Sequence, residues 1–140
     1  MRYFIKTRIV AGYCWDWVSK KNPAVYDIVF PEFDFRMQWN LGDYDGKWII
    51  NSESVTKVGC IHTAQGLEVD YIGVIIGEDL IVRDGEVLTD PAKRSSMDRS
   101  IFGWKKMIRE NRDYAESLLE TIIKNTYRTL MTRGMKGCYI

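Results

Sequence analysis

The chain has 140 residues, enough to bury the core of one domain. Hydrophobic residues make up 46% and charged residues 28%, a globular balance that excludes both a disordered segment and a disulfide-stapled miniature. Twenty basic against nineteen acidic residues leave a formal charge of +1, so nucleic-acid binding would need a local basic patch, not a global field.

In chain order, the first six residues lack the apolar stretch of a signal peptide, and no apolar run is long enough to span a membrane. The expectation is a cytoplasmic protein with no membrane partner. Arg8 to Cys14 reads as a first buried strand. Trp15 to Lys21 reads as a short helix, closed at Asn22-Pro23 because a residue before proline avoids the helical region. Trp15 and Trp17 could form a platform for stacking bases. Filling a core is the commoner use of paired large aromatics. Tyr26 to Met37 is extended but broken by Pro31, which cannot donate to a sheet ladder and so belongs at an edge. From Trp39 onward the chain has the irregular aromatic character of an insertion, with Asp45-Gly46 as a hairpin turn leading into a strand at Trp48 to Ile50.

Lys57 to Gly77 differs from the rest. Val58 to Ile61 and Tyr71 to Ile76 are short apolar runs, as in strands buried on both faces. Between them lie His62, Thr63, Gln65, Gly66, Glu68 and Asp70, a polar insert after a buried strand, where open α/β sheets bind ligands.

Leu80 to Thr89 contains Asp84-Gly85 between two β-prone runs, a surface hairpin. Asp90-Pro91 ends it, and 92–100 reads as a polar, mobile connection. Ile101, Trp104 and Ile108 fall at helical spacing. A longer helix follows, with Ala115, Leu118, Leu119, Ile122, Ile123, Tyr127, Leu130 and Met131 on one stripe, stopping at Gly134. Met135 to Ile140 begins another strand, so the expectation is a fragment of a longer chain. Strands alternating with helices indicate an α/β domain with a mostly parallel sheet and an appended hairpin.

Cys14, Cys60 and Cys138 are widely spaced, without a C-x-x-C, and His62 is the single histidine. Structural zinc is not expected, and the cysteines read as buried free thiols. Arg128 and Arg133 fall on opposite flanks of the late helical stripe. There an arginine can rest its stem on the core and present a bidentate fork to carboxylate or phosphate. Alternatively, both merely complement the helix dipole.

Residues 59–70 (G-C-I-H-T-A-Q-G-L-E-V-D) and 126–134 (T-Y-R-T-L-M-T-R-G) together resemble motifs V and VI of superfamily 1 helicases. With A-G-Y-C-W-D-W at 11–17 and N-T-Y-R-T-L-M-T-R-G-M-K-G-C at 125–138, nearly the whole chain resembles the Schlafen group 3 helicase-like domains. The resemblance implies a three-layer RecA-like (P-loop NTPase-like) fold over 1–140, the second, C-terminal motor domain of an ATP-dependent DNA or RNA helicase. It implies Arg133 as the arginine finger acting on ATP, and Gln65, Gly66 and Glu68 as nucleotide-binding positions; Arg128, without an equally clear counterpart in the motif, is a nucleotide-binding candidate from its place on the flank of the stripe. Gln65 stands where many relatives carry lysine. His62 and Thr63 match positions that touch a nucleic-acid backbone. No G-x-x-x-x-G-K-S/T occurs, and Gly46-Lys47 is followed by Trp48. ATP and magnesium are therefore expected only with a partner, the N-terminal RecA-like domain of the same protein, acting on single-stranded DNA or RNA. No metal ligand is assigned within this chain.

Two other classes compete. Asp34 with Asp45 and Lys47 loosely imitates a magnesium nuclease site. A non-catalytic nucleic-acid or protein interaction domain would keep the motor fold without its activity.

Overall fold

The computed structural model describes residues 5–39, 47–48, 50–64, 66 and 68–140. Its strands are β1 (Thr7–Ala11), β2 (Ile28–Phe30), β3 (Phe35–Trp39), β4 (Lys57–Gly59), β5 (Val69–Ile75), β6 (Leu80–Arg83), β7 (Glu86–Thr89) and β8 (Gly134–Tyr139). The helices are α1 (Ile61–Ala64), α2 (Trp104–Glu110) and α3 (Arg112–Met131). Six strands form one sheet in the order β2-β3-β4-β1-β5-β8, while β6 and β7 pair separately. Every pairing in the large sheet is parallel except β2 with β3. The domain is thus α/β, with a mostly parallel sheet and a separate hairpin.

Alternation along β1 divides the interior. Val10 faces α3 and packs with Ile72 and Val74 of β5 and with Ile123, Tyr127 and Leu130 of the helix. Ala11 faces the other way, in a cluster with Ile28, Trp39, Val58 and Cys60. Each fully buried aliphatic side chain contributes about 1.5–3 kcal/mol relative to exposure. The helical face is the apolar stripe read from the sequence, with Ala115, Leu119, Ile123, Tyr127 and Leu130 buried. The Asn111 side chain caps α3 by accepting from Tyr114 N–H at 3.2 Å.

Opposite α3, the sheet is covered by irregular chain. Trp15 to Lys21 forms turns, not the expected helix. Tertiary bonds capture its polar groups first: Ser19 donates both its N–H and its hydroxyl to Asp27, at 2.8 and 2.6 Å, and Asp27 also accepts from Trp39 N–H at 2.8 Å. Trp15 meets Phe30 edge-on at 5.9 Å, and Trp15 and Trp17 pack against the second cluster, the core role expected of them, with both rings only partly buried.

Other boundaries shift. Trp48 and Ile50 lie in turns rather than a strand, and Trp48 is buried in the α3-side core instead. The Asp45-Gly46 turn lies outside the described residues. β4 ends at Gly59, and Ile61 belongs to α1. Gly134 opens β8 rather than closing the helix, because α3 ends at Met131. A Cβ on Gly134 would stand 2.2 Å from the Gly137 carbonyl oxygen, so close backbone packing explains this glycine. Asp84 and Gly85, with φ of 53° and 80°, make the expected tight turn between β6 and β7.

Candidate functional site

The polar insert between β4 and β5 is divided between the two ends of the sheet. Gly59 is in register with Val10, and Val10 with Val74, five residues beyond Val69. The carboxyl end of β4 and the start of β5 are therefore about 16 Å apart along the strands. α1 and the residues after it make the return.

At the carboxyl end, His62 is exposed, whereas Thr63 is buried. The Thr63 hydroxyl accepts from Cys60 N–H at 2.7 Å and lies 3.0 Å from the Cys60 carbonyl oxygen, to which it can donate. It ties the turn together. A Cβ on Gly59 would lie 2.6 Å from the Trp48 ring and 2.9 Å from Thr63 Oγ1, so only glycine lets these groups close over the strand end.

At the amino end, Glu68 is exposed just before β5, and Gly66 holds a φ of 74°. Val69 N–H donates to the Arg133 carbonyl oxygen at 2.9 Å, which joins the start of β5 to the end of the α3 connection. Arg133 is half-buried, and its Nε donates to the Thr129 carbonyl at 3.2 Å. Glu68 and Arg133 thus meet at one edge, while His62 and Thr63 lie toward the other. Arg128 is exposed, not held at a packed margin, and Gln65 lies outside the described residues.

A third constellation has no signature in the sequence. Asp79, fully buried after β5, accepts from Arg94 Nε at 2.8 Å and from the Tyr127 hydroxyl at 2.5 Å. Arg94 Nη1 donates to Asp98 at 2.6 Å and to Ser100 at 3.2 Å. The Tyr127 hydroxyl also accepts from Gly77 N–H at 2.9 Å. Burial opposes the charge on Arg94, but the two carboxylates outweigh it and its pKa is raised. The segment 92–100 is accordingly packed rather than mobile, since Arg94, Ser95 and Asp98 are all buried.

This network closes around the first motif as well. A Cβ on Gly12 would stand 1.9 Å from Tyr127 Oη, and one on Gly77 would stand 2.3 Å from Cys14 Sγ. Burial, followed by the charge of Asp79, pushes the Cys14 thiol up to about 12. Cys60 is also raised by burial. Cys138, expected to be buried, is exposed on the edge strand β8. Thiolate is the reactive form. Iodoacetamide near neutral pH should therefore modify the exposed Cys138 first, and Cys60 and Cys14 far more slowly; peptide mass mapping after timed labelling checks the order.

Among the described residues, no group of three or more His, Cys, Asp or Glu side chains is arranged to hold a metal ion. No helix among them is long and apolar enough to cross a membrane. Asp34 is exposed with a φ of 49°, and its suggested partner Asp45 lies outside the described residues.

A mostly parallel six-stranded sheet with α3 on one face and these residues divided between its two strand ends is an open-sheet α/β domain. The chain belongs to the family described as Schlafen group 3, DNA/RNA helicase domain, which it matches over residues 2–140. It is 30% identical over 93 residues to the Saccharomyces cerevisiae protein described as "Uncharacterized protein YPL245W", an alignment covering 66% of this chain and 20% of that protein. The chain therefore spans about one fifth of the length of the curated relative it matches. No solved structure matches it.

Proposed function

We propose that this helicase-type domain is the second motor half of an ATP-dependent DNA or RNA helicase, completing a nucleotide site held mainly by an N-terminal RecA-like domain of the same protein. The observation that carries the reading is the Val69 N–H to Arg133 carbonyl bond, because it sets the G-L-E segment ending at Glu68 beside the T-R-G arginine. Those are the two segments similar to helicase motifs V and VI. Arg133 has the right form for a phosphoryl-facing group. Its Nε is anchored on the helix end, and among the described residues its terminal nitrogens have no carboxylate partner. A guanidinium held in this way offers a fixed fork to an anionic oxygen, without needing to reorganise as charge develops.

ATP would supply the transferable phosphoryl group, with magnesium held by the other domain. Glu68, exposed at the same edge, is suited to accept hydrogen bonds from the nucleotide sugar, and Gly66 lets the turn pass close to it. Gln65 and Arg128 are secondary candidates for the same ligand. His62 faces solvent at the opposite strand ends and is the better placed of the two nucleic-acid candidates. The Thr63 hydroxyl is already engaged within the turn, so it acts on nucleic acid by shaping the segment that carries His62.

The isolated 140-residue chain should show no ATP hydrolysis above background, whereas the longer natural protein should hydrolyse ATP faster when single-stranded nucleic acid is added. A phosphate-release assay on both, with and without oligonucleotide, tests this. Turnover by the isolated chain, or none by the longer protein with either DNA or RNA, would reject the motor-half reading.

A further inference from the structure

A cleft of about 520 Å³ opens beside the carboxyl ends of β1 and β4, lined by Tyr13, Trp17, Lys20, Cys60, His62, Met97 and Arg99. Only Cys60 and His62 belong to either helicase-like motif. The other five come from the two irregular segments, 12–27 and 92–100, that fold over the sheet.

The lining has two chemical parts. Lys20 and Arg99 are exposed full cations, and among the described residues neither has a carboxylate partner. Among the described residues, no carboxylate lines the cleft. In a chain of net charge +1 this is the kind of local positive patch that nucleic-acid binding requires. Trp17 and Met97 provide an apolar, polarisable wall, with Met97 44% exposed. The Lys20 ammonium lies 5.0 Å from the Trp17 ring centroid, which keeps the cation at the aromatic wall instead of free in solvent. Tyr13 meets Trp39 edge-on at 5.5 Å, so the core itself braces that side of the cleft.

The cleft is also held rigid. Ser95 N–H donates to the Tyr13 carbonyl oxygen at 2.9 Å, and the Ser95 hydroxyl bonds the Asp16 carboxylate. These bonds clamp the segment carrying Met97 and Arg99 onto the segment carrying Tyr13, Trp17 and Lys20. The buried Asp79–Arg94–Asp98 ion network lies immediately before Arg99 and fixes its approach. A preformed concave site with cations beside aromatic and thioether surface suits a ligand that alternates phosphate with a flat base.

We propose that this cleft seats a nucleotide unit of a single strand, with its base against Trp17 and Met97, flanking phosphates at Lys20 and Arg99, and His62 at the rim. It rests on the helicase-type reading and assigns the strand to residues outside the two motifs. Duplex is disfavoured, because its bases are stacked on one another and cannot present a face to the wall. The readout is independent of base sequence.

The test is fluorescence anisotropy of a labelled oligothymidylate with the 140-residue chain across a salt series. Wild type should bind at low salt. Lys20→Glu with Arg99→Glu should weaken binding by roughly tenfold or more and flatten the log affinity against log salt slope by about 1.4, at about 0.7 per phosphate contact. Trp17→Leu, which keeps an apolar side chain, should lose about fivefold or more through the missing stack. Arg83→Glu with Arg112→Glu, an equal charge change outside the cleft, should cost far less, and circular dichroism confirms that each variant is folded. Equal losses from both charge pairs, an unchanged affinity in Lys20→Glu with Arg99→Glu, or no binding by the wild-type chain would overturn the assignment. ATP hydrolysis by the longer protein judges the motor-half reading separately: nucleic-acid-stimulated turnover that survives the cleft variants removes the cleft and keeps the motor.

Discussion

Arg94→Ala should destabilise the domain by about 3–5 kcal/mol, enough to consume a large share of the roughly 5–15 kcal/mol typical of a folded domain. The guanidinium lies between Asp79 and Asp98, with side-chain exposures of 1%, 0% and 2% respectively. Removing it leaves two carboxylates without their counter-ion in a site that water does not reach. It also takes a hydrogen bond from Asp79, whose other oxygen accepts from Tyr127. The resulting penalty is mostly that of stranded charge, not of lost attraction. Adding Asp98→Asn to Arg94→Ala should therefore recover part of the loss, since one of the stranded charges is then gone. Arg94→Lys should fall between wild type and alanine, because an ammonium restores the charge without the fork that spans both carboxylates. Urea unfolding of the wild type and the three variants measures these differences. A change of less than about 1 kcal/mol for Arg94→Ala would place the network among the surface ion pairs that contribute little.

The same network shows which parts of this fold could be read in advance. β1, β5, the Asp84-Gly85 hairpin and α3 depend on short-range rules: apolar runs, a turn that needs positive φ, and a stripe at three- and four-residue spacing. Those rules act within a few residues, and the chain displays them directly. Asp79, Arg94 and Tyr127 are separated by 15 and 48 residues from one another along their two contacts to Asp79. Nothing local distinguishes the buried Arg94 from the exposed Arg99 five positions later, so a polar stretch reads as solvated. The Trp15 to Lys21 error has a related origin. Its local pattern permits a helix, but Asp27 and Ser95 claim the Ser19 and Asp16 side chains from a distance.

The candidate site divides in the same way. The proximity of the Glu68 and Arg133 segments was implied by the helicase resemblance and became geometry only through parallel pairing of β5 with β8. The separation of Glu68 from His62 could not be seen, because a run of seven residues looks like one cluster until strand register shows that it crosses the sheet. The carboxyl-end cleft was hidden altogether. Lys20 and Arg99 are 79 positions apart in the numbering, like Asp16 and Ser95, and only the clamp between those segments makes them neighbours.

In the longer helicase proposed to carry this chain, Arg133→Ala should lower the ATP turnover number about a thousandfold or more, the scale on which arginine fingers act in phosphoryl transfer. Arg133 is suited to a role in the transition state because its Nε bond to Thr129 fixes the stem, while the fork remains available for charge that develops on the transferring group. Loss should thus fall on kcat more than on KM. Arg133→Lys should rescue little, since a point charge on a flexible stem lacks the second donor and the fixed plane. Arg112→Ala supplies the internal comparison: this arginine is exposed at the far end of the same helix, and its removal should leave turnover within a few-fold of wild type if the fork of Arg133 carries the effect. Folding is a separate matter. Among the described residues, the one side-chain hydrogen bond of Arg133 goes to a helix-end carbonyl, so thermal unfolding of the 140-residue Arg133→Ala chain should differ by only about 1 kcal/mol from wild type. Near-normal turnover in Arg133→Ala, or an equal fall in Arg112→Ala, would remove Arg133 from the phosphoryl-facing role.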